Sequence, residues 1–256
     1  MTIGSFCLIF NEKAWIKAHL KAWTKHLDEM VFFDGGSTDG TLEILEADKS
    51  GKVRVYDKMT PKNLQQDYTD MSNAALRCLG TDIALFLHPD MFPENPEALL
   101  DFPDDMIAGS FKIKSYAGEP GEDIYEIVEG RVKRWKDIYR LKNPDLGAHY
   151  HGFYGATDED IYFSEITGTE HEFFGEDFEK YPYPVFNSDL VIRHYSDVRP
   201  YARRLERMER CLANQGTKPD IIKHVAPKHP RVSLQNGGGF TFEKVDTPSF
   251  LEKESK

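Results

Sequence analysis

The sequence predicts an α/β protein whose sheet is doubly wound and mostly parallel in its first half. Over the first 100 residues, short apolar runs alternate with amphipathic helical patterns, which is the order of parallel strands and crossover helices. Polar or glycine-rich residues follow several of the runs, as they do where a sheet faces a ligand. After residue 106 the segments become strand-like and rich in aromatic residues, which predicts antiparallel additions.

The first half should contain four strands with helices between them. Apolar runs place the strands at residues 4–10, 30–33, 52–56 and 82–87. Asn11 is placed to cap the first helix. The apolar residues of that helix recur at helical spacing and should face the sheet: Ile16, Leu20, Trp23 and Leu27. Further helices are expected at 42–47 and within 68–78, where Gly80 ends the second.

The second half should be built mainly from strands. Pro93 and Pro96 mark a short helix, after which antiparallel strands are expected at residues 107–113, 124–135 and 138–141. Another apolar strand ends near Ile192. Helical spacing then recurs over residues 201–212, and the tail after Gly216 should be loosely held.

Composition narrows the possible partners. The 256 residues suit one α/β domain or a domain with an appendage. The net charge of −11 argues against nucleic acid and anionic membranes, so a phosphate compound would need local positive charge or a metal. Three widely spaced cysteines, Cys7, Cys78 and Cys211, are typical of reduced thiols in a cytoplasmic protein. No apolar run has the length of a membrane span, and the first one reads as a strand rather than a signal peptide.

The segment from residue 31 to residue 41 is the most informative part of the chain. A buried strand ends in Asp34, two glycines follow, and a Ser/Thr/Asp cluster then leads into a helix near Thr41. Ligands of open α/β sheets bind at the carboxyl ends of the strands. Asp34, Ser37 and Asp39 should therefore lie where a small molecule binds.

Two further strand ends carry possible metal ligands. His88-Pro89-Asp90 follows the fourth strand, where Asp90 is placed to bind a cation, although an ordinary strand-ending turn explains these residues equally well. His194 ends another apolar run and could complete the site, although a single histidine is more often structural. A histidine and a carboxylate together suit manganese or another transition ion better than calcium.

Three other segments could carry chemistry. Acids dense among aromatic residues at 168–177 are candidates for a general base, or form a solvated acidic loop. His149 and His151 could chelate a metal, but a partly exposed strand is the favoured interpretation. The basic stretch 199–210 has glutamates interleaved and reads as a solvated face, from which one or two arginines could reach a diphosphate.

Taken together, these residues resemble glycosyltransferase family 2, which has the GT-A fold. The family's first strand ends in Asn-Glu, and its second in an Asp-Gly-x-Ser-x-Asp-Gly-Thr signature. Here these are Asn11-Glu12 and residues 34–41. Asn73 matches an asparagine before the fourth strand, and His88-Pro89-Asp90 stands where the family has Asp-x-Asp. Residues 168–172 and His194-Tyr195 are similar to a His-Glu segment and a His-Tyr pair of one subset.

The resemblance implies a domain division and a set of binding residues. Residues 1–215 would form one GT-A domain, with a nucleotide-binding half at 1–100 and an acceptor half at 101–215, and 216–256 would be an extension. A nucleotide-diphosphate sugar would be the donor, and a glycan or another hydroxyl compound the acceptor. The residues implied for the donor are Phe10, Asn11, Glu12, Asp34, Ser37, Asp39, Asn73 and His88.

The resemblance also implies an inverting transfer assisted by a divalent cation. Asp90 and His194 would hold Mn²⁺ or Mg²⁺, which neutralises the leaving diphosphate. A carboxylate would take the proton of the acceptor hydroxyl, and the candidates in order are Glu172, Asp177 and Asp160.

Two other functions remain open. The histidine in place of the first acid of Asp-x-Asp favours a non-catalytic protein that binds a nucleotide sugar or glycan on the same fold. A metal hydrolase built around His149, His151 and His171 is the third hypothesis, because a hydrolytic metal needs three converging ligands.

Overall fold

The structure is a computed structural model. It describes residues 1–56, 71, 74–101, 103, 108–129, 135–140, 153–154, 161–164, 169–172, 185–205 and 241–248. Its elements in chain order are β1 (Ile3–Ile9), α1 (Lys13–Trp23), β2 (Glu29–Asp34), α2 (Thr41–Glu46), β3 (Val53–Tyr56), β4 (Ile83–Phe86), β5 (Met91–Pro93), a 3-10 helix (Pro96–Asp101), β6 (Ala108–Gly118), β7 (Ile124–Glu129), β8 (Trp135–Arg140), β9 (Phe153–Tyr154), β10 (Ile161–Ser164), β11 (Thr169–Glu172), β12 (Val185–Val198) and β13 (Thr241–Val245).

Ten of the described strands form one mixed sheet. Its main path runs β13-β7-β6-β8-β4-β1-β2-β3, and β12 joins it by pairing with both β5 and β6. Strands β1, β2, β3 and β4 are parallel to one another, as the sequence predicts for the first half. The carboxyl ends of β1, β2 and β4 therefore meet at one edge of the sheet, which is where ligands bind in such folds.

The second half adds mainly antiparallel strands, as expected, with one exception. β8 pairs antiparallel with β4 and β6, and β7 pairs antiparallel with β6. The exception is β12, which runs parallel to β6 and antiparallel to β5. A separate three-stranded antiparallel sheet contains β9, β10 and β11.

Helix α1 packs on the sheet through the face that the sequence predicts. Ile16, Leu20 and Trp23 are buried in the main core together with Leu27, which follows the helix. The indole nitrogen of Trp23 donates a hydrogen bond of 2.9 Å to the carbonyl oxygen of Met91. This bond satisfies the polar atom of a buried indole and attaches α1 to the start of β5.

Four expectations about local structure are wrong. Asn11 does not cap α1, because its backbone is in the left-handed region (φ 54°) and the N-cap residue is Glu12. The strand expected to end near Ile192 continues to Val198. A strand, β5, ends at Pro93, and the helix near Pro96 begins only after it. The tail is not wholly loose, since β13 pairs antiparallel with β7.

Candidate functional site

The turn after β2 is held together by the carboxylate of Asp34. One oxygen accepts hydrogen bonds from the backbone N–H groups of Gly36 (2.9 Å) and Ser37 (2.8 Å), and the other accepts one from the Ser37 hydroxyl. Gly36 has a φ of 90°, a conformation that side chains disfavour. Asp34 is fully buried, and the hydrogen bonds of the turn compensate for the removal of its carboxylate from water.

The loop after β1 is hydrogen-bonded to this turn. The Ser37 hydroxyl accepts from the backbone N–H of Asn11 (2.8 Å), and the Asn11 side-chain oxygen accepts from the N–H of Thr38 (2.9 Å). The left-handed backbone of Asn11 therefore aims its side chain at the neighbouring turn. Two loops that the sequence assigns to donor binding thus form one rigid unit. Next to it lies Phe10, whose ring is about half exposed.

Asp39 accepts hydrogen bonds from the first turns of both α1 and α2. Its carboxylate accepts from the backbone N–H of Lys13 (3.0 Å) in α1 and from that of Thr41 (2.9 Å) in α2. Thr41 in turn accepts from the backbone N–H of Glu12 (2.8 Å). Partial burial alone would raise the pKa of Asp39, but these hydrogen bonds outweigh it and lower the pKa.

The turn between β4 and β5 carries Asp90 into the interior. The N–H of Met91 donates to the carbonyl of His88 (3.0 Å), which closes the turn, and the N–H of Tyr195 donates to the carbonyl of Asp90 (3.0 Å). In the antiparallel register of β5 and β12, His194 lies opposite Met91. This register brings His194, which lies inside β12 and not at its end, to Asp90.

Asp90 lies in a group of charged side chains that also includes Glu12. The Nε2 atom of His194 is 3.3 Å from one Asp90 oxygen. The other oxygen accepts a hydrogen bond of 3.0 Å from the Nη2 atom of Arg199, and the same nitrogen donates to Glu12 at 2.9 Å. Burial would raise the pKa of Asp90, but the charges of His194 and Arg199 hold it well below its usual range.

Buried polar atoms of this group that lack a hydrogen-bond partner among the described residues include the Asp90 oxygen nearest His194 and the Nε atom of Arg199. Unsatisfied buried polar atoms are rare in folded proteins and call for a ligand or water. At the carboxyl end of β4, beside Glu12, the described side chains therefore leave buried polar atoms available to a ligand.

The donor atoms at Asp90 and His194 suit a divalent cation as two of its ligands. Neighbouring ligands of a six-coordinate ion at about 2.1 Å lie about 3 Å apart, close to the observed 3.3 Å. A carboxylate oxygen with an imidazole nitrogen is a donor pair for Mn²⁺. The described residues contain no group of three or more His, Cys, Asp and Glu side chains around one point.

His88, which stands in place of the first acid, lies within this group. Its ring is stacked on that of His194, with centroids 6.1 Å apart and planes 9° from parallel. The Sγ atom of Cys7 is 3.9 Å from its Nδ1 atom. The imidazole thus contributes to the walls of the site and adds no negative charge when neutral.

Arg199 was not singled out from the sequence as a residue of the site. It was one arginine in a basic stretch assigned to solvent, yet its side chain is only 18% exposed. Its guanidinium also lies over the ring of Trp15 at 6.0 Å. Its position just after β12 and directly before Pro200, a short way past His194-Tyr195, is the signal that could have distinguished it.

Several predicted residues cannot be assigned a position in this geometry. Asn73, Asp177 and Asp160 lie outside the described residues, as do His149 and His151. Glu172 and His171 belong to β11, for which the structure describes the backbone alone. The choice of general base therefore stays a prediction.

Comparison with protein families identifies the chain. The model of "Glycosyl transferase family 2" matches residues 8–155, more than half of the 256 residues. The class defined by sequence and fold is that of GT-A glycosyltransferases, with a parallel first half and antiparallel additions. The protein belongs to glycosyl transferase family 2. Among proteins with curated functions, none matches the chain in sequence.

Three of the solved structures that are similar to this chain are glycosyltransferases or have a bound nucleotide. TarS 1-349 of S. aureus in complex with UDP is 21% identical over 55% of this chain and 47% of its own (TM-score 0.39). Glucosyl-3-phosphoglycerate synthase from Mycobacterium tuberculosis, with Mn²⁺, UDP and glucosyl-3-phosphoglycerate, is 18% identical over 86% and 81% (0.45). Mannosyltransferase PcManGT from Pyrobaculum calidifontis, with GDP-Man and Mn²⁺, is 15% identical over 92% and 70% (0.45).

These similarities do not assign a ligand to this chain, since every TM-score is below 0.5. The match spans about half of the TarS 1-349 chain and 28% of the chain in a second TarS structure. In the part of the chain that the structure describes, helices with the length and apolar character of a membrane span are absent.

Proposed function

We propose that the protein transfers a sugar from a nucleotide-diphosphate donor to an acceptor hydroxyl with inversion, assisted by a divalent cation. One observation carries this proposal. Glu12, from the loop predicted to bind the donor, and Asp90, from the turn predicted to bind the cation, share one nitrogen of Arg199. The two predicted parts of the site are therefore in contact.

The donor would lie across the loops that follow β1 and β2. Phe10 offers a half-exposed ring to the base, and Asn11 and Glu12 lie beside it. Asp34, Ser37 and Asp39 hold these loops through their hydrogen bonds, which fixes the backbone against which base and ribose rest. Asn73 and His88 complete the donor residues that the family resemblance implies.

The diphosphate would lie toward Asp90 and His194. These two residues would hold Mn²⁺ or Mg²⁺, which supplies positive charge to the leaving diphosphate when bound. The charge of Arg199 favours the ionised form of Asp90, which the cation needs because a protonated carboxyl would be a poor ligand.

Transfer would break the bond from the anomeric carbon to the diphosphate while the acceptor oxygen bonds to the opposite face. The charge that develops resembles an oxocarbenium ion. The acceptor's proton passes to a carboxylate, for which Glu172 is the first candidate, followed by Asp177 and Asp160. Residues 101–215 would form the acceptor half of a domain spanning 1–215, with 216–256 as an extension.

The place of action we propose is the cytoplasm. Among the described residues, Cys7 and Cys78 form no disulfide bond, which fits a reducing compartment.

Thermal unfolding with a panel of ligands tests the proposal. UDP, GDP and other nucleoside diphosphates, with their sugars, would each be added with and without MnCl₂. A ligand at about 100 times its Kd should raise the Tm by roughly 5 °C or more, and Mn²⁺ should enlarge the shift for one base. No shift with any nucleotide would contradict the proposal. Product analysis by NMR would then establish the anomeric configuration.

A non-catalytic binding protein is the second candidate, favoured by His88 beside His194. It predicts the same thermal shifts without turnover of any donor. Measuring release of free nucleoside diphosphate from the donor that gives the largest shift, across a panel of glycan acceptors, distinguishes the two functions.

A further inference from the structure

We propose that Arg199 is an internal counter-cation that takes the place of the divalent cation at Asp90 and keeps the cation's affinity low until a diphosphate is bound. The inference rests on the proposed function, because it assumes that Asp90 is a cation ligand. It adds an order of binding, with the nucleotide first and the cation second.

The contacts of Arg199 place its charge on the carboxylate that would bind the cation. Its Nη2 atom is 3.0 Å from one oxygen of Asp90 and 2.9 Å from an oxygen of Glu12. The Asp90 side chain is 3% exposed. A buried carboxylate without a counter-charge is strongly unfavourable, so Arg199 supplies what Asp90 needs when no metal is present.

The contact between Arg199 and Asp90 also opposes binding of the divalent cation. A divalent ion at the remaining Asp90 oxygen would share one carboxylate with the guanidinium, and two cations in a buried site repel each other strongly. A diphosphate brings negative charge to this place and offsets the repulsion. The Nε atom of Arg199, which is buried and has no acceptor among the described residues, is one donor that such an anion could engage.

Arg199 is held in this position from both sides. It follows β12 directly, and the N–H groups of Arg203 and Arg204 donate to the carbonyl of Pro200, which starts the helical segment 201–205. Glu119 accepts from the backbone N–H of Tyr201 (3.0 Å) and from the side chain of Arg204 (3.2 Å). These contacts fix the chain segment that carries the Arg199 guanidinium.

Direct measurement of Mn²⁺ binding tests the inference without any sugar transfer. Mn²⁺ affinity would be measured by EPR in the wild type, Arg199→Met and Arg199→Lys, each with and without UDP or GDP. Without nucleotide, Arg199→Met should bind Mn²⁺ about tenfold more tightly than the wild type, because the competing charge is gone. Arg199→Lys keeps the charge and should stay within about threefold of the wild type.

Control variants separate this effect from a general change in charge. Arg54→Met removes an arginine that pairs with Glu29 at the start of β2, the opposite end of that strand from Asp34, and should leave Mn²⁺ affinity unchanged. Adding Asp90→Asn to Arg199→Met should abolish the tight binding. If Arg199→Met does not fold, Arg199→Gln provides a second neutral variant. Thermal unfolding gives an independent measure, since Mn²⁺ should raise the Tm of the neutral variant more than that of the wild type.

The outcomes distinguish this inference from the proposed function. Asp90-dependent Mn²⁺ binding that is equally tight in the wild type and Arg199→Met would overturn the inference alone. Tight binding that survives Asp90→Asn would also overturn it, because the ion would then bind elsewhere. Absence of Mn²⁺ binding in every variant, with sugar transfer intact, would overturn both the inference and the cation's role while leaving the transferase in place.

Discussion

The turn after β2 and the turn after β4 lie at the same edge of the sheet, and each presents a buried aspartate. At Asp34 the chain itself supplies the partners, since backbone N–H groups and a serine hydroxyl use both carboxylate oxygens. At Asp90 a cationic side chain uses one oxygen, and the other has no hydrogen bond from the described residues. A buried acid satisfied by its own turn maintains shape, whereas one left partly unsatisfied is available to a ligand.

Replacing Asp90 should produce the largest functional effect. Asp90→Asn removes the charge that would hold the cation, so kcat/KM for sugar transfer should fall about 10³-fold. The free energy of unfolding should change by only about 1 kcal/mol, because Arg199 keeps Glu12 and the amide fills the same volume. Steady-state kinetics and urea unfolding measure the two quantities. A variant with more than a tenth of the wild-type kcat/KM would show that Asp90 is not part of the transfer machinery.

Acidification should reveal a third buried polar group, the imidazole of His19, which lies in α1 against β5. Burial lowers its pKa from 6.5 to about 4. The unfolded chain then binds a proton that the folded protein excludes, so stability from this group is full above pH 6.5 and is lost as the pH falls toward 4. The free energy of unfolding should fall by about 3 kcal/mol in total.

Urea unfolding between pH 7 and pH 4.5 checks this expectation with a matched pair of variants. His19→Leu should flatten the pH dependence of the free energy of unfolding. His26→Gln, at a partly buried position in the turn after α1, should keep most of it. Equal slopes in the wild type and His19→Leu would rule out His19 as the source.

Replacing Asp34 should mainly lower the free energy of unfolding, whereas replacing Asp90 should mainly lower kcat/KM. In Asp34→Asn an N–H₂ group replaces one carboxylate oxygen, so either the N–H groups of Gly36 and Ser37 or the Ser37 hydroxyl lose their acceptor, and the free energy of unfolding should fall by about 2 kcal/mol. Urea unfolding at pH 7 measures this loss. A change below about 0.5 kcal/mol would mean that the turn does not depend on the carboxylate, and the contrast between the two aspartates would disappear.

Much of the parallel half could be predicted because its signals are local. Apolar runs buried on both faces specify β1, β2 and β4, and the signature at 34–41 specifies the turn between β2 and α2. Local reasoning was wrong at Asn11, since an asparagine before a helix is usually a cap. Here the neighbouring turn offers the N–H of Thr38, and the backbone of Asn11 turns into the left-handed region to reach it.

The antiparallel half and the charged group depend on pairings between distant segments. Nothing local indicates that β8 lies between β4 and β6, or that β13 extends the sheet at β7. Asp90 was predictable as a residue at a strand end, and His194 as one that follows an apolar run, although β12 continues past it to Val198. Arg199 was not, because its partner Asp90 is 109 positions earlier and its neighbours in the sequence are typical of a solvated basic stretch.

The pairing of β12 with β5 also determines when the site comes into existence during synthesis. Asp90 leaves the ribosome long before Arg199, and at about 5–20 residues per second the interval lasts roughly 5–20 s. The parallel strands β1 to β4 can associate within that time, since their contacts are closer in sequence. Until β12 is made and docks, the nascent chain carries Asp90 without the guanidinium that contacts it in the folded protein. Assembly of this charged group is thus a late folding event, and the stretch of chain between β5 and β12 sets its timing.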